Sequence, residues 1–245
     1  GPMIKQTPEK ASHALTALII LLAAGQAFAF NFTPIDVTLR PAGTGATQTF
    51  SVDNPSPTPV AIEITMHSRE ITPEGEDILE DADGLFTVYP SQLILQPGGR
   101  QSVRVQWTGS AELDQERAFR LIAEELPIDL GEEEQQGAGL DLLVRYVASV
   151  YVQPRDTEAR VSIETQVDDD GVALLVRNEG TMRAVLRSED YAIYADGQLV
   201  ELDDAQREAL AAVNVLAGHT RRLPIPDSGD LVDAALEVRW LRASD

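Results

Sequence analysis

From residue 30 onward, apolar and polar positions alternate in short runs, each cut by Pro, Gly, Asn or Asp. The clearest run is 60–66, where Val60, Ile62, Ile64 and Met66 fall on one side of a strand and Ala61, Glu63 and Thr65 on the other. Similar runs at 30–40, 47–54, 85–89, 93–95, 101–107 and 117–126 are separated by turn residues. Strands at roughly 8–12-residue spacing predict an immunoglobulin-like sandwich. The longest uninterrupted run is 140–153, which contains no Pro or Gly and is rich in Leu, Val and Tyr. Leu140, Leu142 and Val144 share one face of it, and Asp141, Leu143 and Arg145 the other. A strand longer than usual, entered from the charge-rich segment 131–139, can be buried centrally or can offer its edge to another chain. If its apolar row fills a partner's groove, that row projects outward and adds little to its own domain's stability.

Past Pro154 the texture repeats in a smaller unit. Runs at 161–167 and 172–178 flank an acidic turn, and Ala195, Asp196 and Gly197 give a hairpin signal. Two short runs at 220–225 and 235–241 close the chain. Residues 203–212 are compatible with a helix, and a short helical turn is possible near 113–117. The predicted fold class is all-β, with two immunoglobulin-like β-sandwich domains. They span 30–154 and 155–245.

Residues 1–29 carry a different pattern. Gly1 and Pro2 have the look of a tag scar, followed by a segment with Lys5 and Lys10, an apolar run at 14–24, and Ala27-Phe28-Ala29. A basic flank, a short apolar stretch and an A-x-A site predict a signal peptide cut after Ala29, hence export to the periplasm.

Composition removes several function classes. The net charge of −21 argues against a nucleic-acid partner. With no Cys there is no disulfide, thiolate nucleophile or Cys-bound zinc. His13, His67 and His219 are too few and too scattered to predict a metal site. The acidic clusters at 74–77, 80–83 and 168–170 read as solvated turns. Glu124 and Glu125 are adjacent strand residues that point to opposite faces, which spoils a shared acid–base site. No nucleophile or phosphate-binding motif occurs. The sequence therefore supports neither an enzyme, a cofactor nor a small-molecule substrate.

Several segments together carry a family resemblance: P-I-D-V-T-L at 34–39, S-V-D-N-P-S at 51–56, V-Y-P-S-Q-L-I-L-Q-P-G-G-R-Q-S-V-R-V at 88–105, E-R-A-F-R-L-I-A-E-E-L-P at 116–127, L-L-V-R-Y-V-A-S-V-Y-V-Q-P at 142–154, V-R-N-E-G-T-M-R-A at 176–184 and N-V-L-A-G-H-T-R-R-L-P-I-P at 214–226. In order and spacing the chain resembles the periplasmic pilus chaperones of the PapD type, and in its L-V-R-Y form the archaic branch of the chaperone–usher pathway. The resemblance implies two immunoglobulin-like domains set at an angle. It also implies a pilus or fimbrial subunit as partner, completed by the chaperone's long strand, and delivery to an outer-membrane usher. Leu140, Leu142 and Val144 are then the donor row. The free protein could self-associate to cover that strand.

The family holds the subunit's terminal carboxylate with an Arg on the first strand and a Lys on the long strand, positions that fall here on Thr38 and Ser149. Arg40 and Arg145, on the same strand faces by parity, are the expected substitutes. Of the family's interdomain ion cluster, Glu116 is retained; the long-strand arginine position falls on Gln153, with Arg155 nearby. A structural or adhesive two-domain surface protein is the alternative reading.

Overall fold

The computed structural model describes residues 30–128, 143–169 and 171–241. The expected signal segment and the donor residues Leu140 and Leu142 lie outside the described residues. The first half holds β1 (Asn31–Thr33), β2 (Asp36–Leu39), β3 (Thr47–Asp53), β4 (Val60–Ile71), β5 (Asp77–Asp81), β6 (Phe86–Tyr89), β7 (Gln92–Leu95), β8 (Arg100–Trp107), β9 (Arg117–Leu126) and β10 (Arg145–Val152). The second holds β11 (Val161–Asp168), β12 (Gly171–Asn178), β13 (Ala184–Leu186), β14 (Tyr191–Ala195), β15 (Gln198–Leu199), β16 (Val213–Val215), β17 (Thr220–Pro224) and β18 (Leu236–Trp240). An α-helix, Asp204–Ala209, starts on a capping box in which Asp203 and Gln206 exchange side-chain-to-backbone bonds. Residues 113–116 form no helical turn; β9 follows them directly.

In the first domain a sheet of order β1-β3-β8-β6 faces one of order β2-β10-β9-β4-β5, with β7 added beside β4. Alternation along the strands supplies the layer between them. Phe50, Val52, Ile62, Met66, Val103, Val105, Phe119, Leu121, Ala148, Val150 and Val152 are all buried there. The run 30–40, which reads as one strand, is broken at Pro34. Its first part pairs with β3 in one sheet, and its second pairs in parallel with β10 in the other. One segment thus ties both sheets together.

The second domain packs β11-β12-β17, β13-β16 and β15-β14-β18 around Leu174, Val176, Ile193, Leu210 and Val215. Matching asparagines close corresponding strand ends. Asn54 donates to the Thr58 and Leu95 carbonyls and accepts from the Ser56 N–H. Asn178 donates to the Met182 and Val215 carbonyls and accepts from the Arg160 and Gly180 N–H groups. Both are buried, and each satisfies backbone groups that the turning chain would otherwise orphan.

Candidate functional site

The long strand is paired unequally. Along its whole length β10 is bonded to β9, from Arg145 opposite Glu124 to Val152 opposite Arg117. On its other side β2 covers only Ser149 to Val152. Among the described residues, Arg145 to Ala148 therefore present a backbone edge with no strand beside it, and that open edge ends at Ser149. Unpaired edges of this kind are templates for another chain.

Period-two geometry divides the strand's side chains. Tyr146, Ala148, Val150 and Val152 face the first domain's core, and Val144 packs against the same core at its rim. That corrects the expectation of an outward row for Val144: its face is the one that fills the chaperone's own sandwich, continued toward the sandwich end. The outward face carries Leu143, 50% exposed, Val147, 43% exposed, then Ser149 and Tyr151. Exposed Ile35 lies at the head of β2, where its carbonyl accepts from the Ser149 N–H.

Where the open edge ends, arginines converge. Arg120 of β9 donates from Nη1 to Ser149 Oγ at 2.5 Å. Its Nε and Nη2 reach Asp77 Oδ2 at 3.1 and 2.9 Å, while Arg69 Nε binds Asp77 Oδ1 at 2.9 Å. Two residues along β10, the Tyr151 hydroxyl accepts from Asn214 Nδ2 at 2.9 Å and from Arg69 Nη1 at 3.5 Å. The Arg183 guanidinium lies 3.6 Å from the Tyr151 ring centroid and reaches Thr38 Oγ1 at 3.4 Å. Arg221 of β17 donates to the Asn214 carbonyl and closes against Gly75 of the β4–β5 turn. Three of these arginines share two carboxylates, Arg69 and Arg120 on Asp77 and Arg183 on Glu116, and Arg221 stands close by, in a protein of charge −21.

The electrostatics follow from this crowding. Burial pushes the Asp77 carboxyl up, but hydrogen bonds from Arg69 and Arg120 outweigh it and hold the group below the usual carboxylate range. Burial, with repulsion from Arg69, lowers Arg221 from the usual arginine value, and Asp77 partly restores it.

The second domain is locked on through Glu116, whose side chain is 2% exposed. It accepts from Arg183 Nη1 at 2.5 Å, from the Arg183 backbone N–H at 3.1 Å and from Gln153 Nε2 at 2.9 Å. Its own N–H donates to the Thr181 carbonyl at 2.8 Å. Asn178 and Gly180 shape the loop that presents Arg183; a side chain at Gly180 would collide with the backbone at Glu158 and Arg160. Arg155, expected beside Glu116, makes no ion pair among the described residues. The cation opposite Glu116 is Arg183, and the neutral Gln153 donates where the resemblance puts an arginine.

The two expected anchors are placed apart from this cluster. Arg145 is exposed at the start of β10, across from Glu124. Arg40 has turned to the strand's far end, where its Nη1 reaches the Gln153 and Pro154 carbonyls at 3.1 and 3.3 Å. Thr38 and Ser149, the positions that lack the family's cations, are instead touched by Arg183 from the loop before β13 and by Arg120 from β9. Sequence spacing gives no sign of these partners. Asp77, read as part of a solvated turn, is fixed between two arginines. The cluster gathers guanidinium groups beside an open strand edge.

Comparison with known proteins gives concordant findings. A family model described as pili and flagellar-assembly chaperone, PapD N-terminal domain, matches residues 34–158. No curated protein sequence matches the chain. Among solved structures, a chain from the CsuC–CsuE chaperone–tip adhesion subunit pre-assembly complex of archaic chaperone–usher Csu pili of Acinetobacter baumannii is similar, with a TM-score of 0.58 and 14% identity over 86% of this chain and 97% of that chain. The E. coli chaperone DraB gives a TM-score of 0.53 and 15% identity, over 89% of this chain and 97% of that one. A chain from the Salmonella enterica SafA pilin–SafB chaperone complex gives 0.54 and 15%, over 89% and 99%. At these identities the structural likeness speaks for the fold.

Proposed function

Since the chain belongs to the PapD family of pili and flagellar-assembly chaperones, we propose that it works in the periplasm, binding a pilus subunit by donor-strand complementation and delivering it to an outer-membrane usher. The observation that carries this reading is the unpaired β10 edge from Arg145 to Ala148, which ends at a serine held by Arg120. A subunit strand laid along that edge gains main-chain hydrogen bonds, and the row from Val144 toward Leu142 and Leu140 extends the chaperone's core face into the subunit's groove. The subunit's terminal carboxylate then meets Arg120 at Ser149, with Arg183 beside Thr38 as the second cation. Charge-assisted bonds of this kind contribute about 1.5–3 kcal/mol each. Arg145 lies on the approach along the strand, and Arg40 braces the strand's far end. Archaic-type fibres fit the L-V-R-Y form of the strand.

The test is co-expression in a Gram-negative periplasm with a pilin subunit encoded beside this gene. The proposal predicts that the subunit accumulates and co-purifies one-to-one with the chaperone, and is degraded without it. Equal subunit levels with and without the chaperone, and no complex, would overturn it.

A further inference from the structure

Arg120 stands at the end of the open β10 edge with its orientation already set. A guanidinium has five N–H donors arranged on two bidentate edges and one single position. The side edge, Nε and Nη2, is taken by Asp77 Oδ2 at 3.1 and 2.9 Å, and one Nη1 hydrogen by Ser149 Oγ at 2.5 Å. One N–H on Nη1 and one on Nη2 keep no partner among the described residues. Asp77 arrives from β5, two strands away across β4, and its other oxygen holds Arg69. It therefore grips Arg120 on the side edge and leaves donors of the end edge for an incoming anion. Arg69 is held in turn between Asp77 and the Tyr151 hydroxyl. Exposed Asp36, opposite Ser149 on β2, disfavours an anion there, so the orientation of Arg120 decides whether one is accepted.

We infer that Asp77 is a positioning residue for carboxylate capture: it aims Arg120, and through Arg69 steadies Tyr151, so that a peptide's terminal carboxylate is received at the end of the β10 edge. The inference rests on the chaperone reading above and adds to it a residue remote from the long strand. A different role is open to a carboxylate in this place, that of an internal competitor which an incoming anion must displace. The two roles predict opposite signs. Removal of a competitor strengthens carboxylate binding, whereas removal of a positioner weakens it despite the added local positive charge.

The experiment compares two probes, the pentapeptide N-acetyl-Val-Thr-Val-Thr-Val with a free C-terminal carboxylate and the same peptide as its C-terminal amide. Their dissociation constants are measured by calorimetry or side-chain NMR on the full-length protein. Both share the same strand contacts, so the amide-to-carboxylate ratio isolates the terminal charge. Wild type is expected to favour the carboxylate by about tenfold, the size of one charge-assisted bond. Asp77→Asn should bring the ratio close to one, and Asp77→Glu, which keeps the charge on a longer arm, should retain a clear preference. A merely structural role would shift the melting temperature without changing this ratio, and if Asp77→Asn folds poorly, Asp77→Ser, which also removes the charge, is read in its place. A ratio unchanged or raised in Asp77→Asn overturns the inference while leaving the chaperone reading intact. No preference in wild type removes the carboxylate receptor itself.

Discussion

Arg120 and Ser149 face each other across the β9–β10 pair, with the guanidinium donating to the hydroxyl at 2.5 Å. The long strand bears no cation of its own at Ser149, yet a cation stands there because the neighbouring strand supplies it. The same substitution from elsewhere in the chain occurs at Thr38, reached by Arg183 from the second domain. A receptor needs charge at a point in space, and in a sheet that point is accessible from several strands.

The two faces of β10 predict opposite mutational signatures. Val150 is fully buried, so Val150→Ala should cost about 1–3 kcal/mol of folding stability, a cavity term added to lost transfer energy. Val147 is exposed, so Val147→Ser should change stability by less than about 0.5 kcal/mol while weakening subunit capture. Val144, at the rim, should show both effects in part. Chemical denaturation alongside subunit pull-down separates them.

The domain clamp predicts a large effect from one carboxylate. Glu116→Ala leaves Arg183, with a side chain 20% exposed, without its partner and frees Gln153 and the Arg183 backbone N–H. Breaking a buried pair on one side costs about 3–5 kcal/mol. The second domain should then loosen from the first, read as a change in small-angle scattering and as unfolding in two steps.

Much of this architecture is legible in the sequence. Turn spacing and alternation give two sandwiches, and the strand ends at Asn54 and Asn178 are visible as N-P-S and N-E-G. The receptor is not legible. Asp77 and Arg120 are 43 positions apart and meet only because β5, β4 and β9 lie side by side. Asp77 also stands in an acidic stretch, E-G-E-D, whose ordinary fate is a solvated turn. Arg40 and Arg145 have the right parity, but parity fixes only a face of the sheet, not how far a long side chain reaches along it.

Acid should act on Asp77 in a known direction. Its folded carboxyl lies below the usual range, so it contributes stability that is present above about pH 4 and lost as pH falls through the folded value. Thermal melts from pH 7 down to pH 2.5 should show a steeper loss in wild type than in Asp77→Asn. Parallel curves would contradict the assignment.

Tyr191 offers a contrasting case in the second domain. Its hydroxyl is buried with no hydrogen-bond partner among the described residues, and burial, with the nearby Asp190 charge, pushes its pKa up to about 12. Tyr191→Phe removes an unsatisfied group and should stabilise the protein by about 1 kcal/mol. A loss of stability on calorimetry would mean that the hydroxyl has a partner.

In the proposed complex the site of the capturing cation is β9 rather than the long strand itself. The most direct measurement of this is the affinity of purified Arg120→Ala, Arg145→Ala and Arg40→Ala proteins for the same pilin subunit, with each variant's fold checked by circular dichroism. Loss of a charge-assisted bond of about 1.5–3 kcal/mol predicts at least a tenfold weaker complex for Arg120→Ala and changes of less than about threefold for the other two. Normal capture by Arg120→Ala together with a defect in Arg145→Ala would return the anchor to the long strand.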